Sequence, residues 1–97
     1  MAIANLSQLI GKTLLVGITY LDSDGRVDRQ IQFAGIVVAV EPLVTIERGT
    51  EKPFTLPPAV DNFFEVGTPA TYHLRSTGEV VVDPDFVTTW EVHSPSA

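Results

Sequence analysis

The residue types most able to do chemistry gather in one stretch near the end of the chain, residues 74–93. His93 and the carboxylates of Asp83 and Asp85 lie within it, and His73 immediately precedes it. Such groups bind transition metals when three or four of them converge, and zinc sites have short ligand spacings. Here the two histidines are twenty residues apart and the sequence has no cysteine. We therefore predict no metal site and no cofactor.

Two pairs of aspartates, Asp83 with Asp85 and Asp22 with Asp24, are the candidates for acid–base catalysis. Such catalysis needs two carboxyl groups in different environments, so that one pKa rises. Both pairs instead stand in the turn sequences "DPD" and "DSDG", where aspartates bond nearby backbone. "DSDG" also begins like a calcium loop, but its glycine comes too early and no glutamate stands at the twelfth position. With no cysteine and no G-x-S-x-G serine, we predict a protein that is not an enzyme.

The bulk composition predicts one acidic globular domain. The chain has 97 residues, 44% of them hydrophobic, and a formal net charge of −6 from six basic and twelve acidic residues. Neutralising phosphates supplies much of the affinity of nucleic-acid-binding proteins, so this charge argues against nucleic acid and for a basic protein surface as the partner. We predict a single domain over 1–97, with a barrel at 6–92 and flexible ends at 1–5 and 93–97.

Membrane and export signals are not predicted. The longest apolar run, residues 34–40, is seven residues long, against the ~20 residues that a membrane-spanning helix needs. The N-terminal segment "MAIANLSQLIGK" has no basic stretch before an apolar core and no small-residue cleavage site. We therefore predict no membrane association and a cytoplasmic location.

The first half of the chain predicts a helical turn followed by long strands. "SQLIGK" is typical of one helical turn, capped at Ser7 and ended by Gly11. Over residues 13–21 apolar positions recur with period two, and "DSDG" then predicts a tight turn. The next predicted strand covers 27–40, and its inward parity changes at 34–35, which indicates a bulge or bend. A long bent second strand lets a small sheet curl and close on itself.

The second half predicts shorter strands. "LVTIERG" supplies a third strand, "TEKP" predicts a turn, and Pro57 and Pro58 interrupt the ladder because they lack N–H donors. Residues 57–69 are the longest irregular connection, and two linked hairpins follow it. The inward residues of these hairpins are predicted to be Tyr72, Leu74, Val80, Val82, Phe86 and Trp90.

Phe63 and Phe64 stand side by side in the 57–69 connection. Neighbouring side chains of an extended backbone point to opposite faces, so we expect one of them in the core and the other exposed. An exposed aromatic beside prolines is a candidate contact for a partner protein. Arg75 and Glu79 lie across the next turn from each other and complete the predicted set of partner contacts.

Three further residues are candidate oligomer contacts: Val81, Val87 and Thr89. The open edge of the barrel is predicted either at the strand with Gln30 and Gln32 or at the last strand, where "FVTT" at 86–89 carries no charge to protect it. The two valines have no inward place in the predicted alternation. We therefore predict a homodimer or small ring with these residues at or near the contact. In the alternative prediction, the 57–69 segment of the same chain covers the valines.

Four landmarks of the chain resemble those of small uncharacterised bacterial proteins with an Sm-like or SH3-like barrel: "LIGKTLLVGITYLDSDG", "QFAGIVVAV", "FTLPP" and "LRSTGEVVVDPDFVTTW". The resemblance extends from about Leu6 to Val92. It implies an all-β fold, a small five-stranded SH3-like or Sm-like barrel with a short N-terminal helical turn.

The functions of those barrels do not transfer directly. Sm-like proteins form rings that bind uridine-rich RNA, but their loop aspartate and asparagine are missing from "VEPLVTIERG" here. SH3 domains bind peptides through clustered aromatics, whereas Tyr72 and Trp90 are predicted core residues. The leading prediction is a non-enzymatic protein-interaction module, an acidic immunity-type or adaptor protein with a basic partner. The alternative is an Sm-like oligomeric scaffold that binds RNA or a small ligand.

Overall fold

A computed structural model of the chain describes residues 3–49, 51–67, 70–75 and 78–93. In these ranges the chain forms eight β-strands and two short 3₁₀ turns. The strands are β1 (Thr13–Leu21), β2 (Val27–Ala39), β3 (Val44–Arg48), β4 (Glu51–Leu56), β5 (Phe63–Glu65), β6 (Thr71–His73), β7 (Val80–Val82) and β8 (Phe86–His93), and the 3₁₀ turns are Leu6–Leu9 and Val60–Asn62.

Six of the strands form one sheet in the order β4-β3-β2-β1-β8-β5, and β6 pairs with β7 in a separate hairpin. Strand β1 runs antiparallel to β2 and parallel to β8. The predicted all-β class is confirmed. The closed five-stranded barrel is wrong, because the described residues form eight strands and a sheet that does not close. Within the same ranges, no helix is long and apolar enough to cross a membrane.

The additional strands arise in the segment predicted to be irregular. Strand β4 begins at Glu51 and includes Pro53, so "TEKP" lies largely in a strand and not in a turn. A proline is tolerated there because β4 is an edge strand. The 57–69 connection contains the turn Val60–Asn62 and β5, while 68–69 lie outside the described residues. Strand β5 occupies the end of the sheet that a closed barrel would join to β4.

The main core lies on one face of β1, where Leu14, Val16 and Ile18 are all buried. The period-two pattern assigns these residues to the interior, because successive strand residues point to opposite faces. Ile3, expected in a flexible end, also packs here and its N–H donates to the carbonyl of Phe63. The other buried members of this core are Leu9, Phe33, Val37, Val44, Ile46, Leu56 and Phe86.

A second, smaller core lies on the opposite face of β1. The β6–β7 hairpin folds over this face. The cluster consists of buried Leu15, Leu74 and Val81, with Ala34, Tyr72 and Val87 partly buried against them. Strand β1 is therefore covered on both faces. Because it is a central strand of this kind, it carries apolar residues at both odd and even positions.

The predicted phase of β7 is wrong. Val80 and Val82, predicted to face inward, are 51% and 65% exposed, whereas Val81 is 8% exposed. Three consecutive valines carry no period-two signal, so the face of the sheet that the hairpin covers sets the phase. Strands β7 and β8 belong to different sheets, and residues 83–85 connect the two sheets instead of closing a second hairpin.

The N-terminal 3₁₀ turn is capped by Asn5 and not by Ser7. The Asn5 side chain accepts a hydrogen bond from the Ser7 N–H at 2.9 Å, and the Gln8 side chain accepts one from the Asn5 N–H at 3.0 Å. This reciprocal arrangement is a capping box. The turn therefore begins earlier in the chain than predicted.

Strand β2 keeps one inward parity through 34–35, where a change was predicted. Phe33 and Val37 both pack in the main core. The register between β2 and β3 shifts only between Val37 and Ala39, so the irregularity lies farther along the strand. The predicted change at 34–35 is therefore wrong.

Gly35 lets the backbone of β3 approach β2 closely. A Cβ atom at this position would meet the Glu47 carbonyl oxygen and would lie 2.6 Å from Ile46 Cγ2. Overpacking of this kind typically costs about 1–3 kcal/mol, so we expect Gly35→Ala to lower the free energy of unfolding by that amount. Gly17→Ala is the matched control, because its Cβ would lie 3.6 Å from Thr89 Cγ2, an ordinary contact. Equal urea midpoints for the two variants would contradict the close approach.

Candidate functional site

Strand β8 has a partner along its whole length on one side only. Strand β1 pairs with it from Leu14↔Phe86 to Leu21↔His93. On the other side, β5 pairs only with the first three residues, through Glu65↔Phe86, Phe64↔Val87 and Phe63↔Thr88. No strand in the described part of the chain pairs with residues 89–93 on that side. We call the β5 side of residues 89–93 the open edge.

The backbone groups at the open edge can be assigned from one hydrogen bond. The Asn62 side-chain amide donates to the carbonyl of Thr89 at 2.8 Å, so the Thr89 carbonyl points toward the β5 side. Backbone groups of alternate strand residues point to the same side of the strand. Glu91 and His93 therefore direct their N–H and C=O groups outward at the open edge, and unpaired groups of this kind are a template for another strand.

Asn62 marks the place where β5 stops covering β8. The turn Val60–Asn62 precedes β5, so the strand pairing between β5 and β8 ends at Thr88. The buried hydroxyl of Thr88 donates to the Asn62 carbonyl at 2.7 Å, while the Asn62 side chain bonds the Thr89 carbonyl. These two bonds fix the turn against β8 and thereby fix the start of the open edge.

Removal of the Asn62 side chain tests this anchor. We expect Asn62→Ala to cost about 1 kcal/mol, because the bond to the Thr89 carbonyl is lost. For a domain of this size that corresponds to a fall of about 4–8 °C in the thermal midpoint. Asp61→Ala is the matched control, since Asp61 is an exposed residue of the same turn. Equal midpoints for the two variants would contradict the anchoring role.

A cleft of about 540 Å³ lies beside the open edge. Its volume falls within the usual range of ligand-binding clefts, about 300–1,000 Å³. Trp90 contributes its partly buried indole, which meets the Phe63 ring edge-on with 6.2 Å between ring centroids. The indole Nε1 is buried and has no hydrogen-bond partner among the described residues. The cleft is lined by Thr19, Asn62, Thr89, Trp90, Glu91 and His93.

The surroundings of the open edge are acidic. Glu91 lies on the edge, and Asp61 is the neighbour of Asn62; both are exposed. The pairing of Leu21 with His93 places the β1–β2 turn, with Asp22, Asp24 and Arg26, at the far end of the edge. The charge at this end of the sheet therefore favours a positively charged partner.

Three of the aspartates considered for catalysis accept hydrogen bonds from backbone N–H groups. Asp22 accepts from the N–H groups of Asp24 and Arg26, both at 2.9 Å. Asp83 accepts from the Ala70 N–H at 2.7 Å, and Asp85 accepts from the Thr13 N–H at 3.0 Å. Asp22 therefore bonds within its own turn, as the sequence predicted. Asp83 and Asp85 instead bond segments distant in the sequence and hold residues 83–85 to Ala70 and Thr13.

The two histidines lie on different sheets. His73 ends β6 in the hairpin, and His93 ends β8 in the six-stranded sheet. Among the residues that the structure describes, no three His, Cys, Asp or Glu side chains converge as metal ligands. The arrangement therefore offers no described set of groups that could hold a metal ion.

The predicted partner contacts do not come together. Phe63 is fully buried and Phe64 is 38% exposed, in agreement with the expected split between core and surface. The Arg75 N–H donates to the side-chain oxygen of Gln32 at 2.9 Å, and Glu79 lines a second cleft, beside β2. Strands β8 and β1 lie between β5 and β2 in the sheet. Phe64 therefore lies on a different part of the surface from Arg75 and Glu79.

The three predicted oligomer contacts also separate. Val81 is buried and Val87 is partly buried in the second core of the same chain, and Phe64 of the 57–69 segment pairs directly with Val87. Only Thr89 is exposed, at the start of the open edge. Sequence reasoning pointed to an open edge on β8 but missed Asn62 and His93. The uncharged stretch "FVTT" at 86–89 was the signal for this edge.

Comparison of the chain with protein-family models, with curated proteins and with solved structures found no match. The resemblance to Sm-like and SH3-like barrels therefore stays a prediction. The function has to be inferred from the charge and geometry of the chain itself.

Proposed function

We propose that this protein is a non-enzymatic protein-interaction module that binds a basic partner. The observation that carries the proposal is the acidic open edge, where carboxylates lie beside backbone groups that have no strand partner among the described residues. A strand edge supplies hydrogen bonds of no particular sequence, and the flanking charge selects which partners approach. The module is expected to act by occupying a basic surface, as an immunity-type inhibitor or an adaptor does.

The distribution of basic side chains supports this proposal. Two of the six basic residues lie over aromatic rings, where they contribute to packing. The Arg29 guanidinium is 4.4 Å from the Tyr20 ring centroid. The Arg48 guanidinium is 4.7 Å from the centroid of Phe33 and donates two hydrogen bonds to the carbonyl of Lys52. A net charge of −6 attracts basic proteins over long range and repels phosphates.

Affinity purification tests the proposal. The full chain is used as bait in a lysate of the organism that encodes it, at low salt and again at high salt, with identification by mass spectrometry. We expect proteins of high isoelectric point at low salt and their loss at high salt, because salt screens charge attraction. Recovery of only neutral or acidic proteins would contradict the proposal.

Titration with polyuridine separates this function from the alternative, an Sm-like oligomeric scaffold that binds RNA. A phosphate-binding protein associates with RNA in a strongly salt-dependent manner. We expect no binding of polyuridine even at low salt. Micromolar binding that weakens as salt is added would overturn the proposal and favour the scaffold.

A further inference from the structure

We infer that the open edge of β8 binds an extended basic segment of the partner by strand addition. This inference rests on the proposed function and specifies where and how the partner binds. The incoming segment would run beside residues 89–93, in line with β5, and extend the six-stranded sheet on the β5 side.

The backbone of the open edge supplies the hydrogen bonds. Glu91 and His93 present N–H and C=O groups outward, as the Asn62 bond to the Thr89 carbonyl indicates. Strand addition uses groups of this kind for affinity and uses alternate side chains for specificity. The free length is short, so the side chains beside it have to contribute to binding.

The other end of the sheet is protected in a way that the open edge is not. Edge strands in natural proteins are commonly protected by proline, by lysine or by bulges. Strand β4 carries Lys52 and Pro53. Residues 89–93 contain neither residue type, and their one acidic group is Glu91. A single carboxylate at a strand edge repels acidic segments and admits basic ones.

The side chains along the open edge alternate in character. Trp90 and Val92 project to one face, where Trp90 packs on the main core and Val92 is 42% exposed. Thr89, Glu91 and His93 project to the other face and are exposed. The segment that fits has an apolar residue facing Trp90 and Val92 and a basic residue near Glu91, in strict alternation.

A second copy of this chain fits the edge less well. It would bring another Glu91 to the same short edge and a second net charge of −6. Like charges placed opposite each other across paired strands are destabilising. The two valines that suggested an oligomer are covered within the chain, so they supply no support for a second copy.

Intrinsic fluorescence tests the inference, because Trp90 is the one tryptophan of the sequence and lines the cleft. The probe is a capped hexapeptide of alternating lysine and valine. The controls are a glutamate–valine hexapeptide and a lysine–valine hexapeptide N-methylated at every lysine. A lysine opposite Glu91 directs its own N–H toward β8, so this methylation removes the strand hydrogen bonds and keeps the charge. We expect saturable binding of the first peptide, none of the second, and binding of the third weaker by about tenfold or more, since each 1.4 kcal/mol lost is tenfold.

Two substitutions at one position separate the backbone from the charge. Glu91→Pro removes the N–H that points outward and leaves the bonds to β1, so we expect about tenfold weaker binding of the lysine–valine peptide. Glu91→Ala keeps the N–H and removes one charge, and we expect a loss of only about twofold to threefold. If the proline variant does not fold, the N-methylated peptide still tests the same hydrogen bonds.

A pair of double variants tests the location. Asp61→Asn with Glu91→Gln and Glu47→Gln with Glu51→Gln each change the net charge from −6 to −4. The second pair lies on β3 and β4, away from β8 in the sheet. We expect the first pair to weaken peptide binding several-fold more than the second. Equal loss in both would overturn the assignment to the open edge.

The failures of the two proposals are distinguishable. Equal binding of the N-methylated and parent peptides would overturn strand addition while leaving an acidic interaction module intact. No binding of any basic peptide or protein at low salt would overturn the proposed function itself. A dimer mass by light scattering, with the Glu91 amide protected from exchange in the absence of peptide, would assign the edge to a second copy and overturn the inference.

Discussion

The pairing of β1 with β8 is the constraint on which the rest of the fold depends. A parallel neighbour cannot be reached by a tight turn, because the chain has to return to the same end of the sheet. Between β2 and β8 the chain therefore forms β3 and β4, the turn Val60–Asn62, β5 and the hairpin. The result is a central strand with Leu14 buried on one face and Leu15 on the other.

The open edge follows from the same constraint. Strand β8 is longer than β5, and β5 can pair only where the turn ending at Asn62 allows it. The Thr88 hydroxyl and the Asn62 amide hold the two chains together at this point. Beyond it, Glu91 and His93 have a strand neighbour on the β1 side alone among the described residues. A structural anchor and a candidate binding edge are thus adjacent.

Local signals were read correctly from the sequence, and long-range pairings were not. The alternation over β1, the inward side of Phe86 and Trp90, and the turn at Asp22, where Gly25 has a φ of +82°, all follow from nearest-neighbour chemistry. The phase of β7 could not be predicted in this way, because three successive valines fit either face of the strand. The close approach at Gly35 depends on Glu47 of β3, which lies twelve residues later in the chain, so no local pattern could reveal it.

For the candidate site, too, the sequence predicted the local feature and missed the long-range pairing. Alternation along β8 placed Thr89 outward, and this was correct. The open edge, however, is defined by where β5 ends, and β5 lies in a segment whose prolines and paired phenylalanines predicted an irregular connection.

Amide hydrogen exchange of the free protein measured by NMR tests the central claim, the open edge of β8, most directly. We predict that the amides of Trp90 and Val92, which face β1, exchange slowly, and that those of Glu91 and His93 exchange rapidly. Equal protection of all four amides in a monomer would contradict the open edge.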